Sequence, residues 1–236
     1  MKTKFFQIAL LDQKAIFRDS SLVFFLLVSL FLFVVVRFGL PYLIEEFPVV
    51  DNYLIYILMY VGMQAPVLFG FVTSFVFLDE KDDHIYDFVM VSPVTMPAYV
   101  VSKLILPSFF SFLMSFFILY FNGLQFFSLM HCFLLGLMYA LLTPFLTLVV
   151  AGLAKNKVEG MTYLKALNLL LILPMLSFFF PYKGLMALAV IPVYWVFHFF
   201  QGVAQAEKAI FYLAIGLIYE LVLTCLLIYF FVKRMR

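Results

Sequence analysis

Residues 129–153 read LMHCFLLGLMYALLTPFLTLVVAGL, twenty-five positions without an aspartate, glutamate, lysine or arginine. An apolar run of about 20 residues is what an α-helix needs to cross the hydrocarbon of a bilayer. A helix on the surface of a soluble domain would keep one polar face, and this run keeps none. Windows of about 19 residues place further spans at 21–43, 53–78, 100–121, 163–180 and 209–232. Over the 236 residues, 67% are hydrophobic and 12% charged, against roughly 45–50% and 25% in soluble domains. The expected fold is an all-α polytopic membrane protein with six transmembrane helices, residues 1–236 forming a single transmembrane domain.

Sidedness follows from the basic residues. With both termini on one side, that side holds Lys2, Lys4, Lys14, Arg18, Lys81, Lys103, Lys155, Lys157, Lys165, Lys233, Arg234 and Arg236. The other side holds Arg37, Lys183 and Lys208. Positive loops stay in the cytoplasm, so the chain is expected in the plasma (inner) membrane with both termini cytoplasmic. A seventh apolar stretch, 184–201, carries Pro192, His198 and Gln201. Counting it as a span would put Lys233, Arg234 and Arg236 outside, so it reads as an outer re-entrant or interfacial element. The first apolar run follows four basic residues and lacks a small-x-small cleavage site, so it reads as a permanent span. Arg37 reads as a side chain that snorkels to the outer headgroups.

Two cytoplasmic segments are more than connectors. In 2–18, Phe5, Ile8, Leu11 and Ala15 recur at helical spacing among basic residues, the pattern of a helix lying in the membrane interface. The second segment, 79–103, opens with Asp79, Glu80, Lys81, Asp82, Asp83 and Asp87. Five acids suit water or a basic partner rather than an anionic membrane surface. Ile85, Phe88 and Val89 share a helical face, and the helix should end at Ser92-Pro93 because the residue before proline disfavours the α region. Thr95 is placed to cap the next helix, with Pro97 in its first turn.

Glu80-Lys81, Ser92-Pro93, Tyr99 and Lys103 together resemble the loop between the second and third spans in the membrane permease subunits of type-2 ABC transporters. In that family an acidic-basic pair closes the second span. A short helix, Ser-Pro, and an aromatic and a basic residue then open the third. Asp87 stands where an acid is common. The family often has Gly-Thr where this chain has His84-Ile85. The outline is also similar: an N-terminal interfacial helix, six spans, a basic loop at Ala154-Lys155-Asn156-Lys157 and a hydrophobic re-entrant segment before the sixth span. The resemblance implies an exporter permease for drugs, lipids or glycans that works as a dimer with a second permease, identical or related. It also implies a separate P-loop ATPase subunit that carries ATP and Mg. Residues 80–91 would be the coupling helix, and Glu80, Lys81, Asp83, Asp87, Ser92, Pro93, Tyr99 and Lys103 the ATPase-coupling loop.

The chain lacks chemistry of its own that would compete with this reading. It has no G-x-x-x-x-G-K-[ST] phosphate loop, no H-E-x-x-H and no G-x-S-x-G. His84, His131 and His198 are dispersed, and Cys132 and Cys225 sit within apolar runs, so no metal or catalytic residue is expected. Without a G-x-x-x-G, helix association should use other small residues such as Gly136 and Ala140. Glu220 lies mid-span, where a carboxyl costs roughly 2.5–3.5 kcal/mol and must face protein or water. Gln64 falls at a similar depth, and Asn168 sits in the fifth span. These three are candidates for a translocation path, or for hydrogen bonds that hold the bundle together; Gln64 and Glu220 are expected to neighbour each other or to line that path. Two other readings stay open: an ion-coupled carrier with Glu220 as proton site, and a membrane-embedded lipid-modifying enzyme.

Overall fold

The computed structural model describes residues 20–124, 127–180, 182–205 and 209–235. The interfacial helix expected at 2–18 lies outside them. The first span is α1 (Ser20–Val34), a π-helical turn (Val35–Gly39) and α2 (Leu40–Glu46). A 3-10 turn at Pro48–Tyr53 leads into α3 (Leu54–Asp82). Short α4 (Ile85–Met90) precedes α5 (Met96–Tyr120), α6 (Leu129–Leu153) and α7 (Lys157–Ile172). Two 3-10 segments, Leu173–Phe178 and Lys183–Val190, then lead to α8 (Val193–Ala204) and α9 (Ile210–Arg234).

Six helical stretches are long and apolar enough to cross a membrane, and the described residues contain no strand. The chain is an all-α polytopic membrane protein. The segment expected to be re-entrant is a bent pair, Lys183–Val190 and Val193–Ala204, meeting at 120°. Read as one broken span, it would make seven. The Trp195 indole donates to Ala189 O across the bend (3.0 Å) and Tyr219 of α9 donates to Val190 O, which anchors the element to the last span. Boundaries moved where charges sit. α3 runs on through Asp82, α5 starts at Met96 and the fifth span starts at Lys157, because helices continue past the hydrocarbon wherever water or ion pairs receive their polar side chains.

α6, the helix of the opening stretch, is the centre. It packs against α3, α5, α7, α8 and α9. Three side-chain hydrogen bonds tie the middle of the bundle together. Tyr139 donates to Met59 O (2.9 Å), Thr147 to Gly70 O (3.2 Å) and Ser115 to Gly62 O (3.0 Å). Such bonds hold helices where lipid offers no hydrophobic drive to associate. A Cβ on Gly70 would stand 2.9 Å from Leu146 Cβ and 3.2 Å from Thr143 O, so α3 and α6 approach as only glycine allows. A Cβ on Gly136 would similarly stand 3.3 Å from Phe116 Cβ of α5, and Ala140 is buried, as expected of small residues at the seam.

Connections alternate between two faces. Glu80, Lys103, Asp79, Lys157, Gly152 and Arg234 meet on one, which also carries Lys81, Lys155 and Lys233 and is called the lysine-rich face below. On the other, the Arg37 guanidinium reaches the Gly123 turn, Tyr56 meets Phe178 and Phe127 meets Phe200. The fifth and first spans are the least enclosed, with 11% and 17% of their apolar windows buried, against 67% for α6.

Candidate functional site

The lysine-rich face is organised around one turn of helix at the end of α3. Glu80 turns inward and is 8% exposed, and Lys103 from the start of α5 is 4% exposed. The two form an ion pair, and the Tyr99 hydroxyl donates to the same Glu80 oxygen (2.9 Å). The Lys103 ammonium also lies 4.9 Å from the Tyr99 ring centroid. A buried ion pair is weak evidence of stabilisation by itself, because desolvation offsets much of the attraction, but removing one partner is costly. Its structural effect is to fix the ends of α3 and α5 relative to each other.

The neighbours of Glu80 point elsewhere. Asp79 pairs with Lys157 at the start of α7 (2.9 Å), and Lys81 donates to Ala154 O (3.4 Å). Asn156 caps α7 by accepting from Glu159 N, and Glu159 accepts from Lys155 N, a reciprocal cap that sets this corner. One turn of α3 therefore grips both α5 and α7.

α4 is clamped beneath this joint. The Tyr86 hydroxyl donates to Phe77 O (2.8 Å), its ring stands edge-on to Tyr99 and Phe231, and Val89 is buried one turn on. Ser92 closes the helix: its hydroxyl donates to Val89 O (2.8 Å) and accepts from Val94 N (3.2 Å). The turn into α4 is made by His84 in the left-handed region, φ 55°. Glycine adopts that conformation freely, so this chain keeps the turn at the position where the resembled family often has glycine and accepts the strain of a side chain there.

Three expectations need correction. The buried face of α4 is Tyr86 and Val89 with Ile85 half-buried, whereas Phe88 is 70% exposed and points away with Met90 and Val91. Aromatic Tyr86 outcompeted Phe88 because its hydroxyl finds a carbonyl acceptor at the end of α3. The acidic segment is not wholly solvated, since Glu80 belongs to the core. Thr95 stands at the N-cap of α5 but makes no side-chain cap bond. Asp83 is exposed, and Asp87 meets His84 at the surface (3.6 Å). Glu80, Tyr99 and Lys103 are thus brought together, Lys81 turns to α7, Ser92 and Pro93 end α4, and Asp83 and Asp87 face outward. Sequence reading missed Tyr86 and the Asp79–Lys157 pair; the i, i+3 spacing of Tyr86 and Val89 was the available signal for the first.

Within the membrane, Gln64 is half-buried and donates to Tyr60 O of its own helix (3.4 Å). Glu220 is 2% exposed, neither of its oxygens has a hydrogen-bond partner among the described residues, and so no hydrogen bond joins it to Gln64. α6 packs against both helices and stands between them. Asn168 Oδ1 is likewise buried without a partner among the described residues. The described residues hold no group of three or more His, Cys, Asp or Glu placed to bind a metal.

Comparison with known proteins bears on this arrangement of spans and loop. A family model described as fluoroquinolones export permease protein Rv2686c-like matches residues 12–228, nearly the whole chain. The chain belongs to the Rv2686c-like family. It is thereby an exporter-type ABC permease subunit, as the Glu80–Lys103 loop suggested, and a multi-pass membrane protein. No curated protein matches it.

Proposed function

We propose that this chain is the membrane half of an ATP-driven exporter of amphipathic drugs, and that a separate P-loop ATPase, carrying ATP and Mg, docks on α4. The observation that carries this reading is the two-sided character of α4. Tyr86 and Val89 are locked to α3, α5 and α9, while Phe88, Met90 and Val91 are offered outward, with Val91 86% exposed. Apolar side chains flanked by Asp82, Asp83 and Asp87 suit a groove with a greasy floor and a basic rim. A push on α4 would pass through the Glu80 joint to α5 and α7 together. The lysine-rich face is then cytoplasmic.

The export direction and drug class follow the family description, which names fluoroquinolones for its own member. A second permease, identical or related, would cover the sparsely enclosed first and fifth spans. Gln64, Asn168 and Glu220 are the polar positions we assign to the path.

The test is a pull-down from native membranes into nanodiscs, with wild type and a Phe88→Asp, Val91→Asp variant as bait. Both positions are exposed, so the variant should fold. A P-loop ATPase should co-purify with wild type and be lost from the variant. Recovery of no ATPase, together with proton-driven uptake by the chain alone, would sink the reading in favour of an ion-coupled carrier.

A further inference from the structure

α9 is gripped at two levels. Its buried residues are Gly216, Glu220, Phe231 and Val232, and none of 221–230 is buried. The first grip holds the bent element of 183–204. A Cβ on Gly216 would stand 2.9 Å from Trp195 Cβ, and the Tyr219 hydroxyl donates to Val190 O, so α9 touches both limbs of the 120° bend. The Tyr212 ring lies 5.3 Å from that of His198, which stacks on Tyr194 at 3.9 Å. The second grip holds α4. The Phe231 ring stands edge-on to Phe77 of α3 at 5.4 Å and to Tyr86 of α4 at 6.4 Å. Phe231 and Val232 share one cluster with Tyr86 and Val89. Arg234 donates to Gly152 O, which pins the last turn to the end of α6. Phe231 follows Tyr219 by twelve residues, about 18 Å of helix.

The helix between the grips is unbroken. Residues 210–234 are α-helical throughout and contain no proline. Each of the other five spans is interrupted: the first by the π-helical turn at Val35–Gly39, α3 by Pro66, α5 by Pro107, α6 by Pro144, and the fifth by its change to a 3-10 helix at Leu173. A proline inside a helix removes a backbone hydrogen bond and lets the helix bend there. α3 also reaches both α4 and α8, but it is enclosed, with 61% of its apolar window buried against 22% for α9. α3 is thus part of the frame, and α9 is the straight helix that can tilt without opening the core.

We propose that α9 is a lever that couples α4 to the bent element: displacement of α4 tilts α9 through Phe231, and its far half shifts Val190 and Trp195 towards the opposite face. The bent element is then a gate worked from the docking helix. The inference rests on the reading of α4 as the ATPase dock and says where the push ends. Interlocked aromatic rings suit the α4 joint, because close-packed side chains transmit displacement instead of absorbing it. The Tyr219 bond acts on the limb just before Ile191 and Pro192, where the bend is made.

Trp195 is the chain's single tryptophan, and its indole donates to Ala189 O across the bend (3.0 Å), so it reports on this element. The experiment measures acrylamide quenching of Trp195 fluorescence for the full chain in phosphatidylcholine nanodiscs, with substitutions at the α4 end. Tyr86→Ala and Phe231→Ala should each raise the quenching constant about twofold, as the released lever loosens the bend. Neither should have an effect in a Leu221→Gly, Val222→Gly background, where a flexible point divides the lever. Both glycine positions are exposed, so no buried contact is lost there. An unchanged or lowered constant in either single variant would overturn the proposal. So would a rise that persists in the glycine background, which would route the link through α3. Should a single variant not fold, Arg234→Gln takes its place under the same two criteria; should the double glycine not fold, Val222→Gly alone serves as the background. The measurement needs no ATPase, so failure of the pull-down above would strike the docking partner and leave the lever to be decided here.

Discussion

Replacing Lys103 by methionine is the sharpest probe of the joint beneath α4. The side chain keeps its length and apolar stem but loses its charge, so the Glu80 carboxyl, 8% exposed, is left without the Lys103 cation beside it. Breaking a buried pair from one side costs about 3–5 kcal/mol, whereas the same change at the surface costs about 0–1 kcal/mol. The Tyr99 hydroxyl bond to Glu80, worth about 1.5–3 kcal/mol when it serves a charge, remains and supports the carboxyl locally. The expected cost for Lys103→Met is therefore near 3 kcal/mol. The Glu80→Gln, Lys103→Met double variant should recover much of it, because two neutral groups no longer demand solvation. Unfolding by SDS titration in mixed micelles measures all three variants and gives the coupling energy. A single variant within about 1 kcal/mol of wild type, with no recovery in the double, would refute the claim that this pair is buried and fixes α3 to α5.

Further outcomes follow from the same face. His84→Gly should raise stability by about 1 kcal/mol by relieving the left-handed residue, and His84→Val should lower it, both read by thermal unfolding in detergent. Tyr86→Phe should cost about 0.5–1.5 kcal/mol through the lost bond to Phe77 O, and should reduce ATPase recovery less than Phe88→Asp, Val91→Asp does. Gly70→Val should lower the yield of folded chain on size exclusion, since its side chain would be driven against Leu146 and the Thr143 carbonyl.

Hydropathy read the six spans because bilayer crossing is a property of composition over 20 residues, and α6 matched its expected limits residue for residue. Span ends were less legible where charges continue a helix, as Asp79–Asp82 do for α3. The Glu80, Tyr99 and Lys103 cluster was found through resemblance rather than through pattern, since residues 19 and 23 positions apart carry no local signal of contact. The orientation of α4 was misread for a related reason. Phe88 and Tyr86 have similar hydrophobic weight, and the choice between them was settled by the Phe77 carbonyl, which periodicity does not represent. Glu220 and Gln64 were matched in depth from helix starts, but depth says nothing of azimuth, and α6 stands between them.

Three successive residues at the end of α3 point in different directions: Asp79 to Lys157, Glu80 to Lys103 and Tyr99, Lys81 to Ala154. A helix advances about 100° per residue, so a single turn can serve as a hub with separate spokes to two other spans. Such a hub conveys rotation as well as thrust. Twisting α3 about its own axis by a fraction of a turn would draw one spoke in while releasing another, so α5 and α7 would move in alternation instead of together.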